Sequence, residues 1–336
     1  MYFAVAALLL TSANGLSPRS IAWIPLGLIY ISQDPEDKFA RFHSVQDAIK
    51  SLGEATNLVA AGEYHETMNI TRTGPLTLLI WNSNFVHIGM DDATSAVLTI
   101  APSFNASLIG AGPTGAPLQP LSGNTDFKAY NIDFQNRAAN FSISQALVTD
   151  ISYANASFYG RSFASYQDTW YTGRNASTYV VDSIIYGQTD YLFGFGTVWF
   201  QNVVLANRAC GGGIVAWKGT NQTDAPGNRY GAYISNSQNN KDANVATITT
   251  GQCFLGRPWN DLATTVYLNT FMDDSIRPEG WTPFNNDRPG EFPGPGGNAS
   301  TRVPIGHLLT AQEAEKFTVD KVFLGRPTWI DFEYLF

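Results

Sequence analysis

Apolar residues recur along this chain in short runs closed by Gly, Asn, Asp and Ser, the spacing of β-strands joined by turns rather than of helices. Helical periodicity arises in two places only. From Ser44 to Leu52 the residues Val45, Ala48, Ile49 and Leu52 fall on one face, and from Thr310 to Phe317 the pair Thr310 and Glu313 reads as a capping box. Between them, a polar residue flanked by apolar or aromatic ones returns at Asn131, Asn155, Asp182, Asn202 and Ser235, in steps of 24, 27, 20 and 33 residues. Such steps predict an all-β solenoid, one coil per repeat, in which short parallel strands stack into a β-helix. A single coil cannot bury its inward face, so stacking must supply the core. Periodicity alone leaves an antiparallel β-sandwich as the rival. The Pro- and Gly-rich stretch from Arg288 to Asn298 reads as a surface loop rather than a linker, so residues 16–336 are expected to form one domain.

Composition narrows the class. With 336 residues, 44% hydrophobic and 14% charged, the chain can bury a substantial core and is not a disordered segment. A net charge of -8 without any basic stripe argues against nucleic acid or an anionic membrane as partner. The apolar run from Phe3 to Leu10, followed by Ser12, Ala13 and Gly15, reads as a signal peptide over residues 1–15 and predicts a secreted, extracellular protein. A positively charged start is missing, which keeps a hydrophobic N-terminal strand as the alternative. Elsewhere the longest apolar stretch, Ile21 to Ile31, is broken by Pro25 and is too short to span a bilayer. Sequons beginning at Asn69, Asn105, Asn140, Asn155, Asn175, Asn221 and Asn298 suit a glycosylated, exported chain. Cys210 and Cys253 either pair in an oxidising compartment or remain as two buried thiols, and both readings stay open. Neither cysteine sits at a metal-ligand spacing, so no metal and no cofactor is expected.

The nucleophile elbow G-x-S-x-G and the zinc motif H-E-x-x-H are both absent, and His43, His65, His87 and His307 have no ligand partner at motif spacing. What remains is carboxylate chemistry. Gln145 precedes Gln167 by 22 residues, and Asp168 precedes Asp190 by 22 as well. In a solenoid of about that repeat these residues stack on one face, gathering two amides and two carboxylates in one groove. Taken singly, Asp168 is a turn residue and Asp190 with Arg257 an ordinary ion pair. An ion pair needs no amides beside it, so the joint occurrence favours a site.

These segments resemble the pectin methylesterases. The family's G-x-Y-x-E stands here as Gly62 to Glu66, its Q-A-V-A-L as Gln145-Ala146-Leu147-Val148, and its Q-D-T-L-Y as Gln167 to Tyr171. D-F-I-F-G stands as Asp190-Tyr191-Leu192-Phe193-Gly194, L-G-R-P-W is intact at Leu255 to Trp259, and R-P-E-G-W at Arg277 to Trp281. The resemblance implies a single-stranded right-handed parallel β-helix that acts, as a monomer, on methylated homogalacturonan (pectin), releasing methanol. It implies Asp190 as nucleophile, Asp168 as general acid and then base, Arg257 as the partner of Asp190, and Gln145 with Gln167 as oxyanion donors. Tyr171, Phe193, Trp259 and Trp281 match aromatic positions lining the substrate groove, against a bland reading of each as a core residue. Three departures bear on the shape of the groove or on the motif count: Trp170 in place of Leu, Phe195 where the family commonly has Asn, and a late Leu324-Gly325-Arg326-Pro327-Thr328-Trp329 that imitates L-G-R-P-W. The competing functions are a β-helical lyase or galacturonan hydrolase, which would cut the backbone, and an inactive pectin-binding solenoid.

Overall fold

Asparagine and aspartate set the corners of this molecule, because among non-glycine residues they enter the left-handed region at least cost. In the computed structural model, Asn131, Asp182, Asn202, Asn236 and Asn269 all have φ between 47° and 59°, and each turns the chain from one sheet into the next. The structure describes residues 28–51, 55–59, 62–80, 86–90, 96–107, 122–219, 229–244, 246–284, 292–293 and 306–334. Among these, every pairing between strands is parallel. The β-sandwich is thereby excluded, and the chain is a parallel β-helix, right-handed as parallel crossovers are.

Three sheets run the length of the coil. One stacks Met68–Ile70, Leu98–Ile100, Thr149–Ile151, Trp170–Thr172, Leu192–Gly194, Gly213–Trp217 and Phe254–Gly256. A second extends from Leu28–Ile31 to Thr265–Leu268 and a third from Gly62–His65 to Phe271–Met272. The long strands Asn155–Ala164 and Ser177–Gly187 bend through left-handed corners and belong to both of these. Of the recurring polar positions, Asn131, Asp182 and Asn202 are corners, whereas Asn155 begins a strand and Asn236 rather than Ser235 holds the later corner.

Alternation within the first sheet separates core from surface. Its inward row runs Met68, Leu98, Thr149, Trp170, Leu192, Val215, Gly256 and Trp281, each opposite the next. Its outward row runs Asn69, Thr99, Asp150, Tyr171, Phe193 and Ala216. Gly256 is required where it stands, since a Cβ would come within 2.6 Å of the Trp281 ring.

Both expected helices are present. Val45–Ser51 buries Val45, Ala48 and Ile49, and the Glu66 carboxylate accepts from the Val45 and Gln46 amides at its start. Thr310 caps Ala311–Ala314 with the expected box, and a further short helix, Val319–Val322, follows. This C-terminal segment covers an outward aromatic ladder that includes Tyr159, Tyr179, Trp199 and Tyr233. The late Leu324 to Trp329 stretch belongs to it, with Trp329 packed edge-on against Phe323, away from the first sheet. Residues 1–15, read as a signal peptide, lie outside the described residues, as does most of the 288–298 loop.

Candidate active site

Two acids occupy equivalent corners of successive coils, and a glycine stands one residue before the matching position on the next. Asp168, Asp190 and Gly212, each 22 residues after the last, have φ of 59°, 47° and 90° and lead directly into strands of the first sheet. The Gln167 to Thr189 bridge keeps the two acidic corners in step. Asp190 is anchored at both ends of the residue: its amide donates to the Gly213 carbonyl at 2.7 Å, and Gly213 N–H donates back to Oδ1 at 3.3 Å. Arg257 then grips the carboxylate with one edge of its guanidinium, Nε to Oδ1 at 2.8 Å and Nη2 to Oδ2 at 2.6 Å. Such a fork fixes the plane of the carboxylate as well as its charge. The guanidinium carbon lies 4.7 Å from the ring centre of Phe284.

The electrostatics differ sharply between the two acids. Burial, reinforced by the nearby Asp190 charge and only partly opposed by Arg257, pushes the Asp168 carboxyl up to about 8. At neutral pH Asp168 therefore carries a proton. Arg257 is held in its charged form above its ordinary value, chiefly by its hydrogen bonds to Asp190. One acid is poised to give a proton while its neighbour is held in place by a cation, the division that acid-and-nucleophile chemistry needs.

The remaining expected residues fall into two groups. Gln145 is exposed, and its carboxamide oxygen accepts from Ser144 Oγ at 2.6 Å, which leaves the amide N–H groups to donate elsewhere. Gln167 adjoins Asp168 and is half-buried. The two glutamines are not in register, however: Thr149 lies opposite Trp170, an offset of 21, so Gln145 sits level with Tyr166. Phe193 and Trp259 pack together, with ring centres 6.4 Å apart, and Tyr171 lies against Phe193 at 4.7 Å but is fully buried. Trp281 differs from expectation: it closes the inward row, is 2% exposed, and packs on Tyr267 inside the coil, so it offers no face to a sugar. Trp170 also points inward, where its ring meets Phe158 and Phe163 edge-on, and it does not shape the groove. Phe195 is buried as well, with Arg174 and Lys218 each 5.9 Å from its ring centre.

Sequence reasoning missed Gly212 and Phe284. At Gly212 a Cβ would stand 2.9 Å from Arg257 Cζ, so only glycine leaves room for the guanidinium. The run Gly211-Gly212-Gly213 was the available signal. Phe284 had none, being one aromatic among many. Cys210 and Cys253 form a disulfide that ties the lead-in of Gly212 to that of Arg257. Among the described residues no cluster of His, Cys, Asp and Glu could hold a metal ion, and no helix is long and apolar enough to cross a membrane.

Comparison with known proteins finds a match to the family model described as Pectinesterase over residues 31–326. A protein described as probable pectinesterase A from Aspergillus niger is 30% identical over 266 residues, covering 77% of this chain and 73% of its own. A probable pectinesterase/pectinesterase inhibitor 7 from Arabidopsis thaliana is 28% identical over 320 residues, and there the chain spans about half of the relative, 52%. The crystal structure of a pectin methylesterase from Aspergillus niger superposes with a TM-score of 0.71 at 25% identity, covering 93% of this chain and 99% of that one.

Proposed function

The chain belongs to the pectinesterase family and is a carboxylic ester hydrolase that demethylesterifies pectin, and we propose that it does so through Asp190 and Asp168. The Asp190 carboxylate attacks the C6 carbonyl of an esterified galacturonate unit. Negative charge developing on the carbonyl oxygen is taken up by N–H donors from Gln145 and Gln167, each such donor being worth about 3 to 4 kcal/mol in the transition state. Asp168 gives its proton to the departing methoxide, so methanol leaves and an acyl-enzyme on Asp190 remains. Asp168, now ionised, removes a proton from water as it attacks the acyl carbon, and galacturonate and free Asp190 are regenerated.

One observation carries this reading: a proton-bearing carboxyl and an arginine-gripped carboxylate occupy the same corner on adjacent coils. The disulfide supports an oxidising, extracellular location, as its isolated intracellular formation would be unusual. Incubation with methylated pectin, scoring methanol, reducing ends and unsaturated ends together, tests the activity. Methanol alone is expected; new chain ends without methanol would overturn it in favour of a backbone-cutting enzyme.

A further inference from the structure

On the third sheet the strand Asn155–Ala164 turns two small side chains outward, Ser162 and Ala164, while Phe163 between them is buried in the core. The neighbouring strands carry larger groups at the same level. Ala164 lies opposite Gln135 on one side and Tyr186 on the other, and Ser162 lies opposite Ile184, with its hydroxyl donating to Asp133 at 2.6 Å. Small residues between tall walls make an open trough with a volume of about 900 Å³. Following the strand direction, it is about 13 Å long from the corner at Asn131 to the level of Gln135, room for a short run of sugar rings.

Its chemistry is mixed, with one more carboxylate than guanidinium group. Asp133, Asp182 and Asp242 line it together with Arg161 and Arg208. Arg208 is immobilised: its guanidinium stacks between the rings of Tyr166 and Tyr186 at 4.8 and 4.9 Å, bonds Asp242 at 3.4 Å, and donates to the Ser165 carbonyl at 2.9 Å. A polyanion would meet three carboxylates here, and a cation two guanidinium groups. An uncharged ring rich in hydroxyls meets neither penalty, since carboxylates and amides pair with adjacent hydroxyls and tyrosine supplies an apolar surface.

The geometry points to a second carbohydrate site: this trough binds a short, uncharged pyranosyl segment. Tyr166 and Tyr186 precede Asp168 and Asp190 by two and four residues, so the trough and the acid pair share the same turns while facing different ways. The segment comes either from a neutral branch or from the esterified backbone itself.

Titration calorimetry with three oligomers distinguishes these sources, using a neutral galactan oligomer, a fully methyl-esterified oligogalacturonide and its unesterified form. Protein carrying Asp190→Ala prevents turnover, and Ser162→Leu or Tyr186→Ala is added to it. At least one uncharged oligomer is expected to bind, about tenfold or more weaker after either addition, with the unesterified oligomer at least about tenfold weaker throughout. Loss confined to galactan identifies a branch, whereas loss of one of two sites for the esterified oligomer identifies the backbone. Ser162→Leu fills the floor and Tyr186→Ala empties a wall, so each checks the other against misfolding, which circular dichroism reads directly. Failure of both uncharged oligomers to bind, or binding that neither substitution weakens, overturns the proposal. Because binding alone is read, the result does not depend on ester hydrolysis.

Discussion

Asp168 and Asp190 are the same residue type in the same backbone conformation, one coil apart, yet they are equipped for opposite tasks. Burial keeps the proton on Asp168, and Arg257 reaches Asp190 and not Asp168 with hydrogen bonds. In the proposed mechanism Asp168 begins each cycle protonated, and with its carboxyl pushed up to about 8, kcat/KM for methanol release is expected to hold through neutral pH and fall tenfold per unit above about pH 8. A pH profile of Asp168→Asn that keeps the same alkaline limb would show that another group sets it. Gly212 offers a second residue-level test. A methyl group there is driven into Arg257 at 2.9 Å while the backbone is held at φ 90°, so Gly212→Ala should lower kcat about tenfold or more with KM little changed. Normal kcat in that variant would mean the guanidinium has room to spare.

At the scale of elements, the corner preceding each first-sheet strand does the positioning, and the Cys210–Cys253 disulfide joins two of these lead-ins. Closing 43 residues of chain, it is expected to contribute about 4 kcal/mol by restricting the unfolded state. Cys210→Ser with Cys253→Ser should therefore lower the urea midpoint and reduce kcat more than KM, since Gly212 and Arg257 lose their common tether; an unchanged midpoint would contradict this. The elements themselves were legible where a local signal existed: the Thr310 and Glu313 box, the amphipathic face from Val45, and Asn or Asp at corners. Stacking of the acids was legible too, because equal spacing in sequence becomes equal position on adjacent coils. It failed for Gln145, whose coil is one residue shorter, and for Trp281 and Trp170, because an aromatic in a motif does not reveal whether it faces into or out of the coil. Gly212 and Phe284 act through Arg257 across coils, and no local pattern announces that.

For the whole molecule, stability should depend on pH through buried acids as much as activity does. Burial pushes Asp150, in the outward row beside Tyr171, up to about 8 from 3.8, with Ser152 opposing only in part. The folded state thus keeps a proton that the unfolded chain gives up, so this contribution is complete below about pH 4 and is lost as pH rises towards 8. Asp150→Asn should flatten that fall and raise the melting temperature at pH 8 by about 2 °C or more, while leaving pH 4 little affected; equal slopes in both proteins would contradict it. The same solenoid that tolerates such a buried acid also sets Asp168 and Asp190 one coil apart, and the proposal that this pair performs covalent ester cleavage rests on Asp190. Methanol release from methylated pectin by Asp190→Ala, measured beside its melting temperature, tests it most directly: the expected result is a loss of about a thousandfold or more with the fold retained, and release within about tenfold of the unaltered protein would contradict the assignment.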